Sequence, residues 1–256
     1  MKNKCWVVKI GSALLTNNGK GIDKGLISQW VEQIVELQSH GIDVVLVSSG
    51  SIVEGMKRLG WKEKPSDIHK LQAAAAVGQM GLVQAYEYLF AKHKVQTAQV
   101  LLTRDNLLNS KHFENISATL GNLLEFGIVP VINENDTVAT EEIKFGDNDT
   151  LAALVANFLS AEKLIILTDQ HGVFDDDPRQ NNDAKLINKI HFNDENLERV
   201  AGKTGGALGS GGMHSKVMAA KQAAESKTIS NIAWGREKDV LTRIYQGEYI
   251  GTLIHC

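Results

Sequence analysis

Short runs of apolar, β-branched residues alternate along the chain with longer amphipathic stretches. The runs are Cys5 to Ile10, Val44 to Val47, Val95 to Leu102, Val129 to Ile132, Leu164 to Leu167 and Ile229 to Trp234, with a final one in "IGTLIHC". Helical periodicity occupies Leu26 to His40, Asp67 to Lys92, Phe113 to Phe126, Thr150 to Leu159 and Met213 to Lys227. Strand and helix in alternation predict an α/β fold: a three-layer αβα sandwich with a central, mainly parallel sheet. Gly41 and Gly127 each follow a periodic segment and precede a strand, as left-handed caps would. "TVATEEIKFG", Thr137 to Gly146, breaks the alternation and reads as a short hairpin, a place for a substrate lid.

No linker rich in proline, glycine or serine divides the 256 residues, so one domain is expected over 1–256, with two lobes meeting near Ser160. Apolar residues make up 43% and charged residues 22%, which suits a globular protein with a substantial core. The formal charge of −3, with no basic run, argues against a nucleic-acid partner. Apolar runs such as "VVLV" and "LIIL" are far too short to span a membrane. Two cysteines, Cys5 and Cys256, make no disulfide framework, and no convincing signal peptide opens the chain; the expected compartment is the cytoplasm. The eight histidines are scattered and none has metal-ligand spacing.

In sheets of this kind ligands bind beyond the carboxyl ends of the strands. Those ends read "KIGSALLT", "VSSGSIVEGM", "VINENDTVAT" and "LTDQHGVFDDDPR", joined by two helix starts, "FGDNDTLAALVA" and "GSGGMHSK". Glycines allow close backbone approach and helix starts attract anions, so the set describes an anion site. Neither a P-loop nor a dinucleotide fingerprint is present. Lys9, in "VVKIGS", stands at the end of a buried strand. Lysine is almost never buried without a partner, and an anionic ligand would supply one; an edge-strand lysine reaching to solvent is the plainer alternative.

Taken in order, these motifs resemble those of the amino acid kinase family, and within it the branch acting on free glutamate, for which "NEND" followed by "GDND" is the specific mark. The resemblance runs from Val7 to Lys216. It implies a sheet of about eight strands and transfer of the γ-phosphoryl of ATP, with Mg2+, to the side-chain carboxylate of L-glutamate, the first step toward proline. It also implies a homo-oligomer and feedback inhibition by proline. A C-terminal PUA-type domain, carried by many members of the branch, is expected to be absent. Members acting on aspartate or N-acetylglutamate, and a catalytically inactive amino-acid sensor on the same fold, are the alternatives.

By resemblance, Lys9 and Lys216 are the two catalytic lysines and Asp149 the aspartate that orients them; close ammonium groups need such a counter-charge. A helix N-cap before Thr150 is the plainer role for Asp149. Ser49, Gly50, Asp136 and Asn148 match glutamate-binding positions, and a carboxylate such as Asp136 suits the α-ammonium of a free amino acid. Gly11 and Ser12, Thr168 and Asp169, and the loop Ser210, Gly211, Gly212, Met213, His214, Ser215 and Lys216 match ATP-binding positions, with Lys9 shared. The lobe before residue 160 would hold the amino acid and the lobe after it the nucleotide. Asn133 and Asn135 read as turn residues without a catalytic role, and Asp175 to Asp177 before Pro178 as a solvated turn.

Overall fold

A computed structural model describes residues 4–17, 21–139, 148–203 and 212–256. Eight strands form one sheet: β1 (Lys4–Ile10), β2 (Ile42–Ser48), β3 (Thr97–Leu102), β4 (Val129–Glu134), β5 (Lys163–Thr168), β6 (Lys189–His191), β7 (Ile229–Trp234) and β8 (Thr252–His255), in the order β3-β4-β2-β1-β5-β7-β8-β6. Every pairing is parallel except β7 with β8. Such burial on both faces explains why the strands read as continuous apolar runs. The strand expected from Val95 begins at Thr97, because Val95 still donates its N–H to Phe90 O.

The helices are α1 (Ser12–Leu15), α2 (Lys24–Ser39), α3 (Ser51–Arg58), α4 (Ile68–Ala91), α5 (Arg104–Leu108), α6 (Ser110–Glu125), α7 (Asn148–Leu159), α8 (Glu195–Lys203), α9 (Met213–Ala224) and α10 (Val240–Tyr245). Side chains alternate across the sheet, and the two apolar cores sort by that period. Trp6, Val8 and Ile10 of β1 join Leu26, Trp30, Leu82, Tyr86 and Leu241 on the face covered by α2, α4 and α10. Val7, Val47 and Ile166 join Leu151, Val155, Val217 and Leu197 on the face covered by α7, α8 and α9. Lys9 has the parity of Val7 and lies in register with Val47 of β2 and Ile166 of β5. It therefore points toward α7 and α9.

Gly41 and Gly127 adopt φ of 76° and 69°, the left-handed ends expected for α2 and α6. The helix expected to Lys227 stops at Ala224, and Lys227 takes φ 64° in the turn into β7. Of the expected hairpin, Thr137 and Val138 lie in a turn, and residues 140–146 lie outside the described residues. Asp175 and Asp176 do serve a turn, accepting from Lys185 N and Asn181 Nδ2 at 2.7 and 3.1 Å, but Asp177 is not solvated: it is buried, its carboxylate accepting from Arg179 Nε and Nη2 at 2.9 and 2.8 Å.

After β2 the chain enters α3, which lies so close to α4 that their backbones touch. A Cβ on Gly55 would stand 1.7 Å from Ala74 O, and one on Gly78 1.8 Å from Ser51 O. These contacts hold the start of α3 over the sheet edge, where the site lies. Gly78→Ala must push the helices apart, and overpacking of that kind costs roughly 1–3 kcal/mol. The urea-unfolding midpoint should fall accordingly, while Gly121→Ala, in the interior of α6 with nothing within 4 Å, should not lower it and gains helix propensity.

Candidate active site

Strand β1 is central. The chain leaves it toward β2 on one side, and β5 flanks it on the other, so the carboxyl end of β1 is the point at which strand order reverses. A cleft of about 370 Å³ opens there, lined by Lys9, Gly11 and Ser12 from the end of β1, Ser49 to Val53 and Met56 around α3, Lys64, Asp136, Asn148, Thr168, Asp169 and Lys216. Residues from seven separate stretches of sequence thus meet in one place.

At its floor, Asp149 lies between two lysines. Its Oδ1 is 2.5 Å from Lys9 Nζ and its Oδ2 is 3.2 Å from Lys216 Nζ, with Ser215 Oγ donating to Oδ2 at 2.7 Å. Lys9, Lys216 and Asp149 are 3%, 4% and 0% exposed, so none of these charges is solvated in the ordinary way. Burial pushes the Asp149 carboxyl up, but Lys9 and Lys216 outweigh it and hold the group well below the usual carboxylate range. Burial dominates at Lys216 and lowers its ammonium from the usual value, although Asp149 pulls the other way. An edge-strand position for Lys9 is excluded. Asp149 does not precede its helix as a cap: α7 already includes Asn148, and Asp149 lies in its first turn.

Toward β2 and β4 the lining becomes neutral and amide-rich. Asn148 Nδ2 donates to Ser48 O, Ser49 Oγ and Asn133 Oδ1 at 3.2, 2.9 and 2.9 Å. Asn133 Nδ2 donates in turn to Gln79 Oε1 of α4 at 2.8 Å, and Ser48 Oγ lies 3.1 Å from Tyr86 OH of the same helix. Asn133 is not a turn residue. It lies within the buried strand β4, one residue before its end, where an amide needs partners on every side. Asn135 does sit in a turn, its Oδ1 accepting from Thr137 Oγ1 at 2.5 Å.

Asp136 lies beyond β4. Burial raises its carboxyl, partly offset by Ser51 Oγ, which donates to Oδ2 at 2.7 Å. Gly50 supplies the left-handed turn from β2 into α3 at φ 98°, where a Cβ would also crowd Thr16 at 3.2 Å. On the β5 side, Thr168 Oγ1 donates to Asp169 Oδ1 at 3.1 Å. Gly212, Met213, His214 and Ser215 open α9, with Gly212 O accepting from Ser215 Oγ at 2.8 Å. Ser210 and Gly211 lie outside the described residues.

Of the residues expected from sequence, Lys9, Gly11, Ser12, Ser49, Gly50, Asp136, Asn148, Thr168, Asp169 and Lys216 line the one cleft. Ser48, Ser51, Gln79 and Asn133 were not anticipated. Gln79 carried a signal: it falls on the buried stripe of α4 with Ala75 and Leu82, where an amide must be answering another polar group.

Buried paired ammonium groups at the switch point of a parallel sheet suit a class of enzymes that handle phosphoryl groups, and the chain belongs to the amino acid kinase family, whose model matches residues 4–232. Among curated proteins it is 58% identical to the glutamate 5-kinase of Hydrogenovibrio crunogenus over 99% of this chain and 67% of the relative. It is also 58% identical to the glutamate 5-kinase of Alcanivorax borkumensis, over 97% of this chain and 66% of the relative. The chain thus spans about two thirds of the length of these relatives. Solved structures of UMP kinases from Bacillus anthracis and Ureaplasma parvum each superpose with a TM-score of 0.67, at 16% and 20% identity, over the whole of this chain and 97% and 100% of theirs. At that identity they establish the fold.

Asp149→Asn leaves two buried ammonium groups without a counter-charge, and breaking a buried ion pair from one side costs about 3–5 kcal/mol. Because the folded-state pKa of Asp149 is depressed, its contribution is complete above the unfolded carboxylate value of about 3.9 and is lost as pH falls below it. Urea denaturation from pH 6 to pH 3 should show the stability gap between wild type and Asp149→Asn narrowing as the medium is acidified.

Proposed function

We propose that this chain phosphorylates the γ-carboxylate of L-glutamate with ATP, giving L-glutamyl 5-phosphate and ADP, the first step of proline biosynthesis. One observation carries the reading: the cleft has two ammonium groups at one end, Lys9 and Lys216 about Asp149, and a partly buried carboxylate, Asp136, toward the other, with hydroxyl and amide groups between. An acceptor with an ammonium at one end and a carboxylate at the other fits that polarity. The identity to glutamate 5-kinases supports the same acceptor.

The roles follow from hydrogen-bond capacity. Ser51 occupies Asp136 Oδ2, leaving Oδ1 to take the substrate's α-ammonium. That charge would also favour the ionised form of a carboxyl that burial has raised. Ser49 Oγ accepts from Asn148, so its own O–H is available to the substrate's α-carboxylate. The γ-carboxylate then reaches toward Lys9. Both reactants are anions there, and catalysis consists of positioning and charge neutralisation. Lys9 would meet the transferring phosphoryl from the amino-acid side and Lys216 from the nucleotide side, with Asp149 fixing their separation. Residues 1–160 would carry the amino acid and 161–256 the nucleotide.

No group of three or more His, Cys, Asp or Glu side chains among the described residues could cage a metal. That donor set fits a magnesium carried by the nucleotide, held mainly by phosphate oxygens and water, with Asp169 as the carboxylate on that side of the cleft. Bound there, it would neutralise phosphate charge and orient the terminal group.

ADP release from ATP and Mg2+, with glutamate, N-acetylglutamate, aspartate and UMP offered in parallel and hydroxylamine present to trap acyl phosphate, should occur with glutamate and yield the hydroxamate. Lys9→Ala and Lys216→Ala should each lower kcat by roughly 10²–10³, the scale of a lost oxyanion-stabilising donor, while calorimetry still registers glutamate binding. Binding without turnover of any acceptor in the wild-type protein would identify a sensor instead.

A further inference from the structure

The cleft contains one more cation. Lys64 lines it alongside Ser49, Ser51, Met56 and Asp136, is exposed, and makes no hydrogen bond or ion pair among the described residues. Its place follows from the chain's path. Lys64 lies between α3, whose Ile52, Val53 and Met56 form one wall of the cleft, and the Asp67 cap of α4, where His69 N donates to Asp67 Oδ1 at 2.8 Å. Pro65 directly after it disfavours helical backbone at Lys64. Asp136 is tied to the same side through Ser51, whereas Thr168 and Asp169 lie across the cleft at the end of β5. Lys64 therefore belongs to the Asp136 end and not to the phosphoryl end.

Among the described residues, that end has few side-chain donors left for an α-carboxylate and no other side-chain cation. The two N–H bonds of Asn148 already serve three acceptors, and the hydroxyl of Ser51 is spent on Asp136. Lys9 and Lys216 are both engaged by Asp149. Among the described side chains the O–H of Ser49 is what remains, beside the backbone N–H groups at the start of α3, against a carboxylate with about four acceptor sites and a full negative charge.

Building on the reading of glutamate as the acceptor, we propose that Lys64 is a specificity-determining residue that receives the substrate's α-carboxylate, so that Asp136 and Lys64 together read the zwitterionic head of a free amino acid. The pair is complementary in sign to that head and opposes any analogue lacking either charge. An N-acylated amino acid leaves Asp136 buried opposite a neutral amide; an amino-acid α-amide leaves Lys64 without its anion.

The test compares L-glutamate with its α-amide, which keeps both the α-ammonium and the γ-carboxylate, using wild type, Lys64→Ala and Lys64→Arg in the ADP-release assay. The expected result is that Lys64→Ala raises the KM for glutamate about tenfold, as for a lost hydrogen bond to a charged group. It should leave kcat, the KM for ATP and the KM for the α-amide within about twofold, so that the preference for glutamate over the amide collapses. Lys64→Arg should keep most of the preference. An undiminished preference in Lys64→Ala, or a loss falling on kcat or on ATP, overturns the role of Lys64 while leaving glutamate as the acceptor. Absence of glutamate turnover in the wild type would overturn both.

Discussion

The structure of the site depends on one interaction, the burial of Asp149 between two ammonium groups. Placing a lysine inside a parallel sheet is costly because its charge leaves water, and bringing a second toward it adds repulsion. A single carboxylate with one oxygen on each lysine answers both problems. It joins three elements remote in sequence: β1 through Lys9, α7 through Asp149 and α9 through Lys216. The site cannot form until all three have packed on the same face of the sheet. Local structure, tertiary core and charge placement are therefore one problem, and the period of two in β1 solves it by giving Lys9 the parity of Val7.

The two faces of the sheet contribute differently. Charge reaches the cleft from the α7 and α9 face, where helix starts present their side chains to the strand ends. The opposite face contributes neutral amide and hydroxyl groups from α4, which fix Asn133 and Ser48 from beneath. A neutral network is well suited to that task, because it sets orientation without adding to the charge that the phosphoryl end must control. The glycine contacts between α3 and α4 complete the arrangement, carrying Ser51 to Asp136.

Much of this was legible in the sequence. Continuous apolar runs announced buried parallel strands, and glycine or amide clusters at their ends announced a ligand site, because both follow from local chemistry. What escaped depended on parity and on partners. "NEND" reads as a turn by residue type, yet Asn133 lies within a strand and faces Gln79, a relation between positions 54 apart in sequence. Ser51 looked like one more hydroxyl in a serine-rich loop until its bond to Asp136 set it apart. Lys64 lay in "WKEKPSD", indistinguishable by composition from a solvated surface turn.

Charge balance links these parts. Among the described residues three lysines, Lys9, Lys64 and Lys216, face three aspartates, Asp136, Asp149 and Asp169, in and beneath the cleft. Their balance spares the folded protein the self-repulsion that a purely cationic pocket would impose. It is combined with strong local polarity, since Asp149 secures the two lysines at one end and Asp136 stands at the other. A reaction between two anions needs more positive charge than this balance provides. The deficit is of the kind that a metal ion arriving with the nucleotide would fill.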